Sequence, residues 1–186
     1  MRHLVVTVLA VLTLVGCGTS SAHEGVPVIP AVPDIPPASI NIPKIHAAST
    51  LIPLGLNPDG SLATPDVKTP LQAAYYSLGV LPGKIGPAIV EGHIDGSSPD
   101  GKAGYPGIFA HLKDLTIGDE IDITESNNVV LKFYVYRIMQ MPKNAFDTAT
   151  VYRNTATPEI RAITCQGAFD PKAHSYRDNL VVFARE

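Results

Sequence analysis

The chain after about Ser39 predicts an all-β fold, an antiparallel barrel or sandwich, on three observations. Short apolar runs recur at close spacing, Gly, Pro and Asn break them, and helical periodicity is scant. Residues 40–45 and 51–54 make two opening strands. Residues 71–77 read as two helical turns, 88–92 as an apolar strand, and 108–112 as one further helical turn. The clearest element follows: Ile121 and Ile123 alternate with Asp122 and Thr124, Asn127-Asn128 supplies a turn, and Leu131, Phe133 and Val135 alternate with Lys132, Tyr134 and Tyr136. A period of two on both sides of a turn is a hairpin with one buried face. Residues 160–165 and 180–184 close the set. The stretch 39–186 is one domain's worth of sequence and long enough to bury a core.

The N-terminus has a different composition. Arg2 precedes a short apolar segment from Leu4 to Val15 that ends in Leu14-Val15-Gly16-Cys17 and small residues. It falls short of the roughly 20 apolar residues a bilayer span needs and has the form of a secretory signal. Leu-Val-Gly-Cys also resembles the lipobox of bacterial lipoproteins, which implies a signal over 1–17 and lipidation of Cys17. An ordinary signal peptide or an uncleaved anchor, with Cys17 incidental, is the alternative. Residues 18–38 are polar and then proline-rich, an extended tether at ~3.1 Å per residue.

Taking Arg2 out of the 14 Lys and Arg leaves 13 against 17 Asp and Glu, a net of minus four for the processed chain. That excess of acid argues against nucleic acid as a partner and against a polybasic membrane contact. There is no internal repeat. No Cys/His cluster has zinc spacing, so no metal or other cofactor is expected, and Asp119, Glu120 and Asp122 read as a solvated strand edge before a calcium site.

With Cys17 acylated, Cys165 is a free thiol in an exported chain, and such a thiol asks for an explanation. It stands at the exit of the strand Ile-Thr-Cys-Gln-Gly. His93 stands just past the strand Ala-Ile-Val-Glu-Gly, with Gly92 before it. Arg177 and Asn179 enter the last strand on one parity and so share a face. Each has a plainer reading: a strand-end cysteine is often a small buried hydrophobe, a lone histidine a satisfied polar group, and Arg177 a rim charge. Thiol, imidazole and guanidinium at strand ends are together the constellation of a cysteine nucleophile with an acid/base and a cation. His111 and His174 are rival bases. Asp95 either orients His93 or forms a turn.

Eight blocks, in order, carry a resemblance to a known family. They are Ile-Pro-Lys-Ile (42–45), Ile-Pro-Leu-Gly-Leu-Asn-Pro-Asp-Gly (52–60), Gly-Pro-Ala-Ile-Val-Glu-Gly-His-Ile-Asp (86–95), Gly-Ile-Phe-Ala-His-Leu-Lys-Asp-Leu (107–115), Ile-Gly-Asp-Glu (117–120), Pro-Lys-Asn-Ala-Phe (142–146), Ile-Thr-Cys-Gln-Gly-Ala-Phe-Asp (163–170) and Asp-Asn-Leu-Val-Val-Phe-Ala (178–184). The chain resembles the sortases, specifically the actinobacterial class F group, over nearly everything after the tether. The resemblance implies an eight-stranded sortase-type β-barrel with one or two short helices over 39–186, and a catalytic triad at His93, Cys165 and Arg177. Gln166 stands where glycine is more usual in the family. Asn179 stands where other classes place the arginine, so Arg177 is a two-residue displacement. Most relatives have a transmembrane anchor, so lipidation is also a departure.

The activity implied is transpeptidation. A Leu-Pro-x-Thr-Gly-like sorting signal on a surface protein is cut after threonine through a Cys165 thioester, and the acyl group passes to an amine of a cell-wall precursor or a pilin. His93 would protonate the leaving amine and then deprotonate the incoming one. Arg177 would donate to the oxyanion, with Thr164, Gln166 and Asn179 as further oxyanion or substrate-positioning residues. The location implied is the outer face of a bacterial cytoplasmic membrane, held by the lipid on Cys17, with signal anchoring or secretion as alternatives. Two other functions stay open: a processing peptidase that hydrolyses the same thioester, and a non-catalytic envelope lipoprotein that binds wall or peptide ligands.

Overall fold

A computed structural model describes residues 33–186 of the chain. The signal segment, Cys17 and the tether up to residue 32 lie outside the described residues. Among the described residues there are ten strands: β1 Pro37–Ile42, β2 Ala47–Leu54, β3 Ala73–Tyr76, β4 Gly86–Gly92, β5 Asp95–Ser97, β6 Ala103–Pro106, β7 Glu120–Glu125, β8 Val130–Pro142, β9 Pro158–Asp170 and β10 Ser175–Arg185. An α-helix, α1, spans Thr148–Tyr152. β1 begins at Pro37.

Eight strands close into a barrel in the order β1-β2-β3-β4-β9-β10-β8-β7, and β5 and β6 form a separate hairpin. The barrel is not purely antiparallel as the sequence suggests. β2 pairs with β3, and β4 with β9, in parallel. Local periodicity reveals that a segment is a strand but not its partner, and a parallel pair needs a crossover of a dozen or more residues.

The barrel interior is filled from alternate positions: Val90 of β4, Ile121 and Ile123 of β7, Phe133 and Val135 of β8, Ile160 and Ala162 of β9, Leu180 and Val182 of β10. The expected hairpin is present in this register, with Ile121 opposite Phe133 and Ile123 opposite Leu131. Asn128 takes the left-handed conformation at φ 68°, one that asparagine tolerates in a turn. The opposite face of β4, β9 and β10 is covered as well. Ile89, Ile163, Val181 and Phe183 join Met141 and Val151 in a second buried cluster, and Val151 comes from α1. Asp147 starts α1 by accepting from the backbone N–H of Thr150 at 3.0 Å.

Two local expectations change. Residues 71–77 hold the strand β3, because Ala73 and Ala74 are fully buried and Tyr75 nearly so, and a strand wedged between β2 and β4 buries both faces. Residues 108–112 form consecutive tight turns leading into a 3-10 turn at Leu112–Asp114. Gly92 is required here, since a Cβ on it would lie 2.4 Å from Cγ2 of Ile108.

Candidate active site

The parallel register of β4 and β9 places Glu91 opposite Ile163, so the next residues, Gly92 and Thr164, are adjacent. His93 follows the end of β4, while Cys165 lies inside β9, which runs on to Asp170 through its pairing with β10 instead of ending at the thiol as the sequence suggests. The buried Thr164 hydroxyl donates to the Gly92 carbonyl at 2.8 Å and ties the end of β4 to β9. That proton is therefore not aimed at a substrate oxygen, and Thr164 acts as a strap. His93 and Cys165, both half-buried, line one cavity of about 410 Å³ with Glu91, Leu62, Lys143, Phe146, Tyr152, Ile163 and Asn179.

His93 Nε2 donates to the Pro65 carbonyl at 2.7 Å. A carbonyl only accepts, so Nε2 carries a hydrogen and Nδ1 is the nitrogen that can gain or lose a proton. Asp95 does not orient this ring through that nitrogen. Its carboxylate accepts from the Tyr176 hydroxyl at 2.5 Å, and burial, helped by this bond, pushes the Tyr176 phenol up to about 12.

Of the remaining expected residues, Asn179 stands directly opposite Cys165 in the β9–β10 ladder and lines the cavity. Gln166 pairs with Asp178. The ladder then slips: Tyr176 faces Phe169, so one residue of β10, Arg177, spans two of β9. Gly167, at φ 84°, takes up the bulge, and a Cβ on it would lie 2.6 Å from Oδ2 of Asp178. The positive-φ glycine thus follows Gln166 instead of occupying its position. Arg177 is exposed and lines a neighbouring depression, which Lys143 borders too. His174 is exposed and borders a further depression of about 340 Å³ that also touches His93 and Cys165. His111 pairs with Asp114 at 3.0 Å and borders another surface depression, one that Cys165 does not line.

Two residues of the cavity have no role in the sequence reading. Lys143 directs its ammonium at Cys165 Sγ, 3.4 Å away, and at Ser175 Oγ, 2.8 Å away. Its signal is its place in Pro-Lys-Asn-Ala-Phe. Glu91 is buried in the wall, and desolvation raises its carboxyl from the ordinary 4.5 to about 8. Its signal is an acid inside an otherwise apolar strand. Among the described residues, no group of three or more His, Cys, Asp or Glu is placed to hold a metal ion.

A closed eight-stranded barrel carries a half-buried thiol and an imidazole on one cavity. The sortase domain family matches residues 40–186, and the chain belongs to the sortase family, whose members are cysteine transpeptidases of cell-wall sorting. Among solved structures it is similar in fold to a lid mutant of sortase A from Corynebacterium diphtheriae (23% identity over 84% of this chain and 73% of that one, TM-score 0.60). It is similar also to sortase C1 of Streptococcus agalactiae (15%, 79% and 64%, TM-score 0.57) and to a Clostridium perfringens sortase D5 transpeptidase (18%, 79% and 76%, TM-score 0.54). No curated protein matches the chain in sequence.

Proposed function

We propose that this chain is a class F sortase, exported and lipid-anchored through Cys17. In this reading it cleaves a Leu-Pro-x-Thr-Gly-like signal after threonine and transfers the acyl group to an amine of a cell-wall precursor or a pilin. The observation that carries the reading is the parallel β4–β9 pairing, which sets His93 and Cys165 on one cavity.

The Cys165 thiolate attacks the threonine carbonyl carbon, and the carbonyl electrons become an oxyanion. The Lys143 ammonium, 3.4 Å from the sulfur, donates to it before attack. Arg177, entering from the rim, donates to the oxyanion, and the Asn179 amide positions the peptide. As the tetrahedral centre collapses, the C–N bond breaks and imidazolium His93 gives its Nδ1 proton to the departing glycine amine. The thioester remains. The incoming amine then loses a proton to His93 and attacks, and the thiolate leaves.

The test incubates the protein with a Leu-Pro-x-Thr-Gly peptide, with and without an added oligoglycine or diaminopimelate amine, and follows thioester, hydrolysed and ligated products by mass spectrometry. Ligated product that exceeds hydrolysis is expected. Hydrolysis alone identifies a processing peptidase, and no thioester on Cys165 returns the chain to a binding lipoprotein.

A further inference from the structure

Glu91 is the penultimate residue of β4, and its side chain lies on the face of Ile89 and Ile163, towards the cavity, while Val90 points into the barrel. It is only 8% exposed. Among the described residues its carboxyl has no hydrogen bond or ion pair, and its cavity neighbours Leu62, Phe146, Tyr152 and Ile163 present largely apolar surface. The nearby ammonium of Lys143 is engaged with Cys165 and Ser175. Glutamine or leucine would fill this position without the penalty of an isolated buried acid.

We infer that Glu91 is a specificity residue that accepts a lysine or arginine side chain of the peptide substrate, seated two or three residues before the bond that Cys165 attacks. The inference rests on the acyl-donor role of the cavity proposed above. Ile163, opposite Glu91, precedes Cys165 by two residues of β9, about 6.6 Å of strand. An extended peptide acylated at Cys165 and running along the apolar cavity has the same repeat, so a side chain from two or three residues back falls over the carboxylate. A cation there supplies a charge-assisted hydrogen bond that no described residue supplies.

Empty, the carboxyl is held protonated by burial. Filled, it ionises and releases its proton. Tyr152 of α1 and Tyr76 of β3 are the titratable neighbours on the covering elements, with His93, Cys165 and Lys143 sharing the cavity.

The test measures binding of fluorescent Leu-Pro-Asn-Thr-Gly peptides to the Cys165→Ala protein at pH 7, with lysine, arginine or norleucine placed in turn at each of the two positions before threonine. At one position a basic residue binds about tenfold tighter than norleucine, and in Cys165→Ala with Glu91→Gln the gap shrinks below about threefold. No basic preference at any position, no binding, or a preference that survives Glu91→Gln overturns the inference. The same peptides given to the wild-type chain separate the two readings. A basic preference without thioester formation removes the transpeptidase and keeps the Glu91 site, and thioester formation without the preference does the reverse.

Discussion

Lys143 Nζ lies 3.4 Å from Cys165 Sγ, held there by a second hydrogen bond to Ser175. The cation nearest the thiol is thus a lysine from the end of β8, while Arg177 stands at the rim in an adjoining depression. Two cations permit two separable roles, one at the sulfur before attack and one at the oxyanion during it.

Lys143→Met is expected to slow iodoacetamide alkylation of Cys165 at pH 7 by roughly tenfold, because it removes the ammonium that donates to the sulfur. Arg177→Ala should leave alkylation near wild type and lower thioester formation from peptide by roughly a hundredfold or more. Alkylation that falls with Arg177→Ala and not with Lys143→Met would reverse the assignment.

Cys165→Ala should abolish both hydrolysis and transfer with its thermal unfolding little changed, since the thiol is half-buried and outside both core clusters. Product formation by this variant would remove the thioester route.

The raised Glu91 carboxyl makes stability depend on pH with a definite sign. Below 4.5 the folded and unfolded chains both hold the proton, and the group contributes nothing. Between 4.5 and about 8 only the folded chain holds it, so stability falls as pH rises, by on the order of a few kcal/mol by pH 9. Urea unfolding should therefore show Glu91→Gln gaining on the wild type between pH 5 and pH 9. A difference that does not vary over that range would contradict the burial of an unpartnered acid.

Arg161 is fully buried, 2.7 Å from Glu159 Oε2, with its guanidinium 4.5 Å over the Phe183 ring. Glu159 also accepts from the Tyr136 hydroxyl at 2.6 Å. Arg161→Ala leaves that carboxylate poorly compensated and should cost about 3–5 kcal/mol in chemical unfolding. Replacing both partners, Arg161→Met with Glu159→Gln, should recover most of the loss. No recovery in the double variant would show that the packing on Phe183 dominates.

Gly167→Ala forces a β-carbon against Asp178 at a positive φ. It should cost about 1–3 kcal/mol and disturb the bulge that sets Arg177 off the regular ladder. Thioester formation should fall further than stability accounts for, and a variant with unaltered acylation would show the bulge to be indifferent to catalysis.

Much of the barrel was legible because period-two alternation is local. Ile121, Ile123, Phe133 and Val135 announce their own buried face. The segment of β3 reads as helix in the sequence because Leu71-Gln72-Ala73-Ala74 consists of good helix formers, and only its position between β2 and β4 makes it a strand. α1 went unseen because five residues carry too little periodicity, though the Asp147 cap was present as a signal.

The sequence by itself determined the all-β class, the free thiol at Cys165, and His93 and Arg177 as its proposed partners, because residue chemistry and strand parity belong to the chain locally. The tertiary structure decided the neighbours. Parallel pairing of β4 with β9 brings His93 and Cys165 together across more than seventy residues, the bulge at Gly167 leaves Arg177 at the rim, and the end of β8 delivers Lys143 to the sulfur. Strand pairing, register and bulges depend on which distant segments share hydrogen bonds, and no local pattern encodes that choice.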